Sequence, residues 1–186
     1  PMSDDPVRTV VHTAEGDLPF QHYFVREQCR PLVHGFSFAG VDAAALQANL
    51  ADLCASRTLA GVIICPSNPF VSIDPILQLD SFWQTLRESQ VTVLAVAPIV
   101  AGQALKGPAA KMMAELNLPV TATGVAAHYA EHYPGLIGTF VVDHSDATLV
   151  PAIQELGMEV EVTATIMRER ADKRALAAAC LELLCR

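Results

Sequence analysis

Apolar residues in this chain recur in short runs separated by stretches with helical spacing. The run Ala60-Gly61-Val62-Ile63-Ile64 reads as a buried strand, and residues 91–96, 140–142 and 159–163 read as three more. Between them, residues 43–56, 82–89, 109–116, 125–133 and 146–156 carry amphipathic helical patterns, the last closed by Gly157. A final helix runs from Glu169 to Cys185. Ahead of this alternation, residues 7–13 tend towards β, Ala14-Glu15-Gly16-Asp17 is a turn, and residues 18–25 are extended again. That pattern predicts a β-hairpin, followed by a third extended stretch over residues 33–38. The fold class predicted is α/β: a three-layer Rossmann-like sandwich with a mostly parallel sheet, plus the N-terminal β-hairpin. Right-handed crossovers then put the loops after Ile64, Val96, Val142 and Val162 along one edge of the sheet. Open α/β sheets bind their ligands at that edge.

The loop after Ile64 is the most distinctive: Cys65-Pro66-Ser67-Asn68-Pro69-Phe70-Val71-Ser72-Ile73-Asp74-Pro75. Prolines on either side of Ser67 and Asn68 stiffen the backbone where a hydroxyl and an amide are offered. This suits a phosphate or polar ligand at a helix start, where N–H groups are unpaired, and it also suits a Pro-rich turn. The loop after Val96, residues 97–108, holds Gly102 and Gly107, which permit close backbone approach, and Lys106, a mobile point charge ahead of a helix. It lacks the GxxxxGK[ST] spacing of a phosphate-binding P-loop. Asp4 and Asp5 are adjacent oxygen donors, a reasonable place for Mg²⁺ to bridge substrate phosphates and equally a capped turn. His128-Tyr129-Ala130-Glu131-His132 fits the H-x-x-E-H string of zinc peptidases, but Tyr133-Pro134-Gly135 ends the helix at once and no third ligand stands out. These residues therefore read as exposed polar positions of a helix end. Cys65 has no neighbouring base and reads as a small buried residue, while Arg168, Arg170, Lys173 and Arg174 read as a solvated face.

Composition narrows the function. With 186 residues, 52% of them hydrophobic, the chain can bury the core of one domain. A net charge of −8 argues against nucleic-acid or membrane-surface binding, which need a basic face. Five cysteines without CxxC spacing indicate a reducing compartment, and no apolar run reaches spanning length. A soluble, cytoplasmic protein is the expectation.

Several strings carry a family resemblance. Pro1-Met2-Ser3-Asp4-Asp5-Pro6-Val7-Arg8-Thr9, Phe20-Gln21-His22-Tyr23-Phe24-Val25-Arg26, PSNPFVSIDPIL from Pro66 and GQALKGPAAKMM from Gly102 resemble the 2-phospho-L-lactate transferase family of coenzyme F420 biosynthesis. The bacterial members, with a phosphoenolpyruvyl-type donor, look closest. The resemblance implies a Mg²⁺-dependent transferase that moves a phospholactyl or enolpyruvyl-phosphate group from a guanosine-diphosphate-linked donor to the deazaflavin Fo, releasing GMP. It implies that Asp4 and Asp5 hold the metal or orient the acceptor hydroxyl. Ser67, Asn68, Pro69 and Ser72 would bind substrate, and Lys106 with Gly102 and Gly107 would stabilise charge on the leaving phosphate. A homodimer is expected of the full-length enzyme. The family's Gly-rich loop after its first strand is missing, so residues 1–186 read as a single α/β domain, the C-terminal part of a longer transferase. On its own such a chain is expected to be inactive as an enzyme, or to serve as a non-catalytic nucleotide-binding or assembly fragment. Ala164 stands where the family commonly has an aspartate, so the resemblance assigns no site to residues 163–167.

Overall fold

The computed structural model describes residues 2–56, 58–105 and 107–185. Strand β1 (Arg8–Thr13) pairs antiparallel with β2 (Gly16–Pro19) on one side and β3 (Val33–Ala39) on the other. The hairpin is shorter than expected, because pairing stops at Pro19 and His22–Arg26 wind into a wide helical turn. Within that turn Tyr23 is fully buried while Phe24 and Val25 stay exposed, a pattern that the two-residue period of a strand does not produce. Helix α1 (Ala48–Ala55) starts later than its apolar pattern suggests, where the Gln47 side chain accepts the Leu50 N–H.

The second sheet contains β4 (Val62–Ile64), β5 (Val93–Val96), β8 (Thr139–Asp143) and β9 (Glu159–Thr163), all parallel and in that spatial order. Between β4 and β5 lie the short α2 (Asp74–Leu77) and α3 (Phe82–Glu88). The β5–β8 connection holds a small hairpin, β6 (Ile99–Val100) and β7 (Gln103–Ala104), then α4 (Ala109–Glu115) and α5 (Ala122–His132). Helix α6 (Val150–Gln154) joins β8 to β9, and α7 (Arg170–Leu184) ends the fold.

Alternation along the strands builds the layers. Val93, Ala95, Phe140 and Val142 face the large core shared with α3, α4 and α5. Leu94, Val96 and Val141 face the other way, against Leu176 and Cys180 of α7. Helices thus cover both faces of the parallel sheet, as the sequence predicts. Among the described residues β4 has one strand partner, β5, and its other edge is open. No helix of the described residues is long and apolar enough to cross a membrane.

The loop after β5, read as irregular from sequence, contains the β6–β7 hairpin. Its two turn residues, Ala101 and Gly102, have φ of +49° and +74°, and a turn with both central residues left-handed matches the twist of paired strands.

Candidate functional site

The carboxyl ends of β4, β5 and β9 open on a cavity of about 300 Å³. Ser67, Thr165 and Lys173 provide polar groups to its lining, and Ala97, Pro98 and Met167 provide apolar ones. The turn that presents Ser67 is built by its neighbour. Asn68 caps the wide helical turn Pro69–Ile73, its Oδ1 accepting the N–H groups of Phe70 at 3.0 Å and Val71 at 3.4 Å. The same amide donates through Nδ2 to the Met112 Sδ at 3.2 Å. Asn68 lines the cavity, yet its polar atoms are engaged by the fold, whereas the Ser67 hydroxyl makes no hydrogen bond among the described residues. Pro69 is buried as the first residue of the turn, where its missing N–H costs nothing. Ser72 lies on the exposed side of the turn, and the cavity lining does not include it.

The second predicted loop reaches the cavity through other residues than expected. Gly102 sits at the tip of the β6–β7 hairpin, and Gly107, with φ of +71°, precedes α4. Neither lines the cavity, although Leu105 and Ala109 do. Lys106 falls outside the described residues. The hairpin is held by a buried carboxylate, since Asp146 accepts the Ala101 N–H at 3.1 and 3.2 Å.

Thr165, Met167 and Lys173 were assigned no role from sequence. Thr165 is 3% exposed and is fixed by Asp143, the last residue of β8. Asp143 accepts the Thr165 N–H at 2.9 Å and hydroxyl at 3.3 Å, and the Ser145 N–H at 3.0 Å and hydroxyl at 2.8 Å. Burial opposes ionisation of this carboxyl, but the donors from Ser145 and Thr165 outweigh it and hold the group below its ordinary range. Lys173 lies in the first turns of α7 and is exposed, so from sequence it resembled a solvated residue. The available signal was the position of residues 164–168 at the ligand-binding end of the last strand.

Asp4 and Asp5 occupy a docked turn. The Ser3 hydroxyl donates to the Ala45 carbonyl at 2.6 Å, and the Asp5 carboxylate accepts the Ala45 N–H at 3.0 Å. Gly40, with φ of +91°, lets the Pro6 carbonyl approach so closely that a Cβ there would collide with it. Neither aspartate lines the Ser67 cavity. Among the described residues no cluster of three or more His, Cys, Asp or Glu is arranged to hold a metal. Both carboxylates are exposed oxygen donors, the ligand type that Mg²⁺ takes, with one Asp5 oxygen already accepting the Ala45 N–H.

The H-x-x-E-H segment corrects the sequence reading in one residue. Glu131 and His132 are exposed, but His128 is buried, with Nε2 3.0 Å from both oxygens of the buried Asp74. The Tyr133 hydroxyl donates to the same carboxylate at 2.8 Å and receives the Gln78 amide at 3.3 Å. Burial and the Asp74 charge push the Tyr133 hydroxyl pKa far above its ordinary value. The His128 and His132 rings stack 4.3 Å apart at 30°, so their lone pairs do not converge on one ion. Cys65 is likewise exposed rather than buried, lying just beyond the last paired residue of β4.

Comparison with known proteins agrees with this architecture. The family model described as 2-phospho-L-lactate transferase CofD matches residues 1–180. The 2-phospho-L-lactate transferase of Methanosarcina mazei is 33% identical over 177 residues, covering 95% of this chain and 56% of its own length. That of Halobacterium salinarum is 36% identical over 185 residues, covering 99% of this chain and 50% of its own. The chain therefore spans about half the length of these relatives. A solved structure of a UPF0052 family member from Bacillus halodurans matches with a TM-score of 0.66 at 10% identity, covering 96% of this chain and 60% of that one. At that identity the likeness shows the fold alone. The family match over nearly the whole chain, on a fold with its ligand edge formed, settles membership: the chain belongs to the 2-phospho-L-lactate transferase CofD family.

Proposed function

We propose that this chain provides part of the active site of a Mg²⁺-dependent transferase. The enzyme moves a phospholactyl or enolpyruvyl-phosphate group from a guanosine-diphosphate-linked donor to Fo and releases GMP. The observation that carries this reading is the cavity where Ser67, Thr165 and Lys173 meet at the carboxyl ends of parallel strands. In the transfer, the acceptor oxygen bonds to phosphorus as the bond to the GMP oxygen breaks, and the hydroxyl proton is released. The protein needs to align the two oxygens and neutralise charge. The Ser67 hydroxyl donates to a phosphate oxygen and the Lys173 ammonium offsets its charge. Pro98 and Met167 keep water from the reacting group.

Lys106, in the same loop as Gly102 and Gly107, would add a second cation, and Asp4 and Asp5 would hold Mg²⁺. Asn68 and Pro69 shape the turn, with Ser72 on its outer side. Bound Mg²⁺ would supply neutralisation of the pyrophosphate. The open edge of β4 is where further strands of a complete, homodimeric enzyme would extend the sheet and complete the donor site beside Ser67.

The test is product detection by mass spectrometry after incubating the chain with Fo, Mg²⁺ and either three-carbon donor, alongside a GMP titration. The expected results are a phosphodiester of Fo, released GMP, and weaker GMP binding in Ser67→Ala and Lys173→Met. GMP binding without product would favour a nucleotide-binding or assembly module, and absence of both would remove the reading.

A further inference from the structure

Cys65 stands exposed where the last paired residue of β4 gives way to the Ser67 turn. We infer that Cys65 is a modification site for low-molecular-weight disulfides, and that Cys180 of α7 converts the mixed disulfide formed there into a bond between the two cysteines. The inference holds whether or not the Ser67 cavity performs group transfer.

The register of the sheet brings the two thiols to one place. Ile64 pairs with Ala95, so Cys65 comes level with Val96. Ile63 packs on the α7 side of the sheet and Ile64 in the opposite core, so alternation turns Cys65 back towards α7. On that helix Lys173, Leu176, Ala177 and Cys180 form one stripe with helical spacing. Cys180 is 2% exposed and packs in the same cluster as Leu94, Val96 and Leu176. Cys65, Cys180, Ile63, Val96, Leu176 and Ala177 all line a single cavity of about 250 Å³. The other three thiols, Cys29, Cys54 and Cys185, do not line it.

Exposure gives the two thiols different parts. The Cys65 thiolate attacks one sulfur of the small disulfide; a bond forms at Cys65, the original S–S bond breaks, and one small thiol leaves. Cys180 is closed to reagents in solution, and burial raises its thiol pKa, with the charge of Cys65 raising it further. A mixed disulfide at Cys65 carries no thiolate charge, so that second effect ends when the adduct forms. The Cys180 thiolate then attacks the Cys65 sulfur and expels the second small thiol. Two protein thiols are thereby oxidised, one small disulfide is reduced to two thiols, and the protein's two thiol protons end on them. A partner held across one cavity does this faster than a thiol arriving from solution. Pro66, Met167 and Lys173 line both this cavity and the Ser67 cavity, so the cross-link forms at their common wall.

The test treats the folded whole chain with oxidised glutathione and follows intact mass and disulfide-linked peptides. Every arm carries Cys185→Ser, which removes the other exposed thiol. With Cys65 and Cys180 both present, glutathione should appear on the chain and then leave, the mass settling two hydrogens below the reduced value. Peptide mapping should find Cys65 joined to Cys180. Cys180→Ala should hold glutathione on Cys65 at least about tenfold longer, and Cys180→Ser repeats this arm should the alanine variant fold poorly. Cys65→Ser should leave Cys180 unmodified in the native chain. An adduct on Cys65 that lasts equally long with and without Cys180 overturns the inference. So does a cross-link mapped to another pair, or a Cys65 that takes up no glutathione.

Discussion

Replacing Asp143 by alanine should destabilise the chain, and the structure indicates by how much. Asp143 is 6% exposed and Thr165 is 3% exposed, so removing the carboxylate leaves the Thr165 N–H and hydroxyl buried without their acceptor. An orphaned buried donor costs about 1–3 kcal/mol. The Ser145 donors are on an exposed residue and regain water, so they add little. The expected loss is therefore about 2–4 kcal/mol, which in a chain of 186 residues lowers Tm by roughly 5–15 °C. Urea unfolding followed by circular dichroism measures it, and pH separates this mechanism from simple loss of packing. The native carboxyl titrates below its ordinary 3.8, so its stabilisation is complete above that value and disappears as pH falls through the lowered native value. The difference between wild type and Asp143→Ala should be full at neutral pH and shrink in acid below pH 3.8. A difference that persists unchanged in strong acid, or one under about 0.5 kcal/mol at neutral pH, would refute the reasoning.

Other expectations follow from backbone geometry and thiol burial. Ala101→Gly should stabilise the chain by about 1 kcal/mol, because alanine is held at φ +49° and glycine keeps the N–H that Asp146 accepts; a lower Tm would contradict this. Gly124→Ala should destabilise by roughly 3 kcal/mol, since its Cβ would collide with the Pro119 carbonyl near the start of α5, and an unchanged melting curve would show that this segment yields freely. Of the five thiols, exposed Cys65 and Cys185 should react fast with an aromatic disulfide reagent. Cys54 and Cys180, whose thiol pKa values burial raises, should react only on unfolding, and rapid labelling of either would show that its cover opens.

The layered fold was legible because strands buried on both faces read as unbroken apolar runs, as in β5, and their connections carry helical periodicity. What escaped detection depended on single residues. The β6–β7 hairpin turns on Ala101-Gly102, and alanine at a left-handed position is not a turn signal that sequence offers. His128 looked like an exposed residue because its partner Asp74 is 54 positions away, on the segment read as a ligand loop. Ser67 was singled out through the prolines around it, and it lies on the lining of the cavity at the sheet's edge. Thr165 and Lys173 were missed because their approach to Ser67 follows from the order of strands across the sheet, with two strands standing between β4 and β9. The resemblance to the 2-phospho-L-lactate transferase family was borne out over residues 1–180, while the predicted role of Lys106 falls on a residue outside those described.

Ser67 and Asn68, which lead into the turn Pro69–Ile73, line one cavity, and Phe70 within the turn lines a second one of about 510 Å³ beside Phe36 and His128, so the turn acts as a partition between them. Such a partition cannot give way on one side without intruding on the other. A ligand that displaced this turn from one side would reshape the cavity on the other, and a coupling of that kind is reciprocal. One side chain, the Asn68 amide, pins the partition and so fixes the dimensions of both chambers at once.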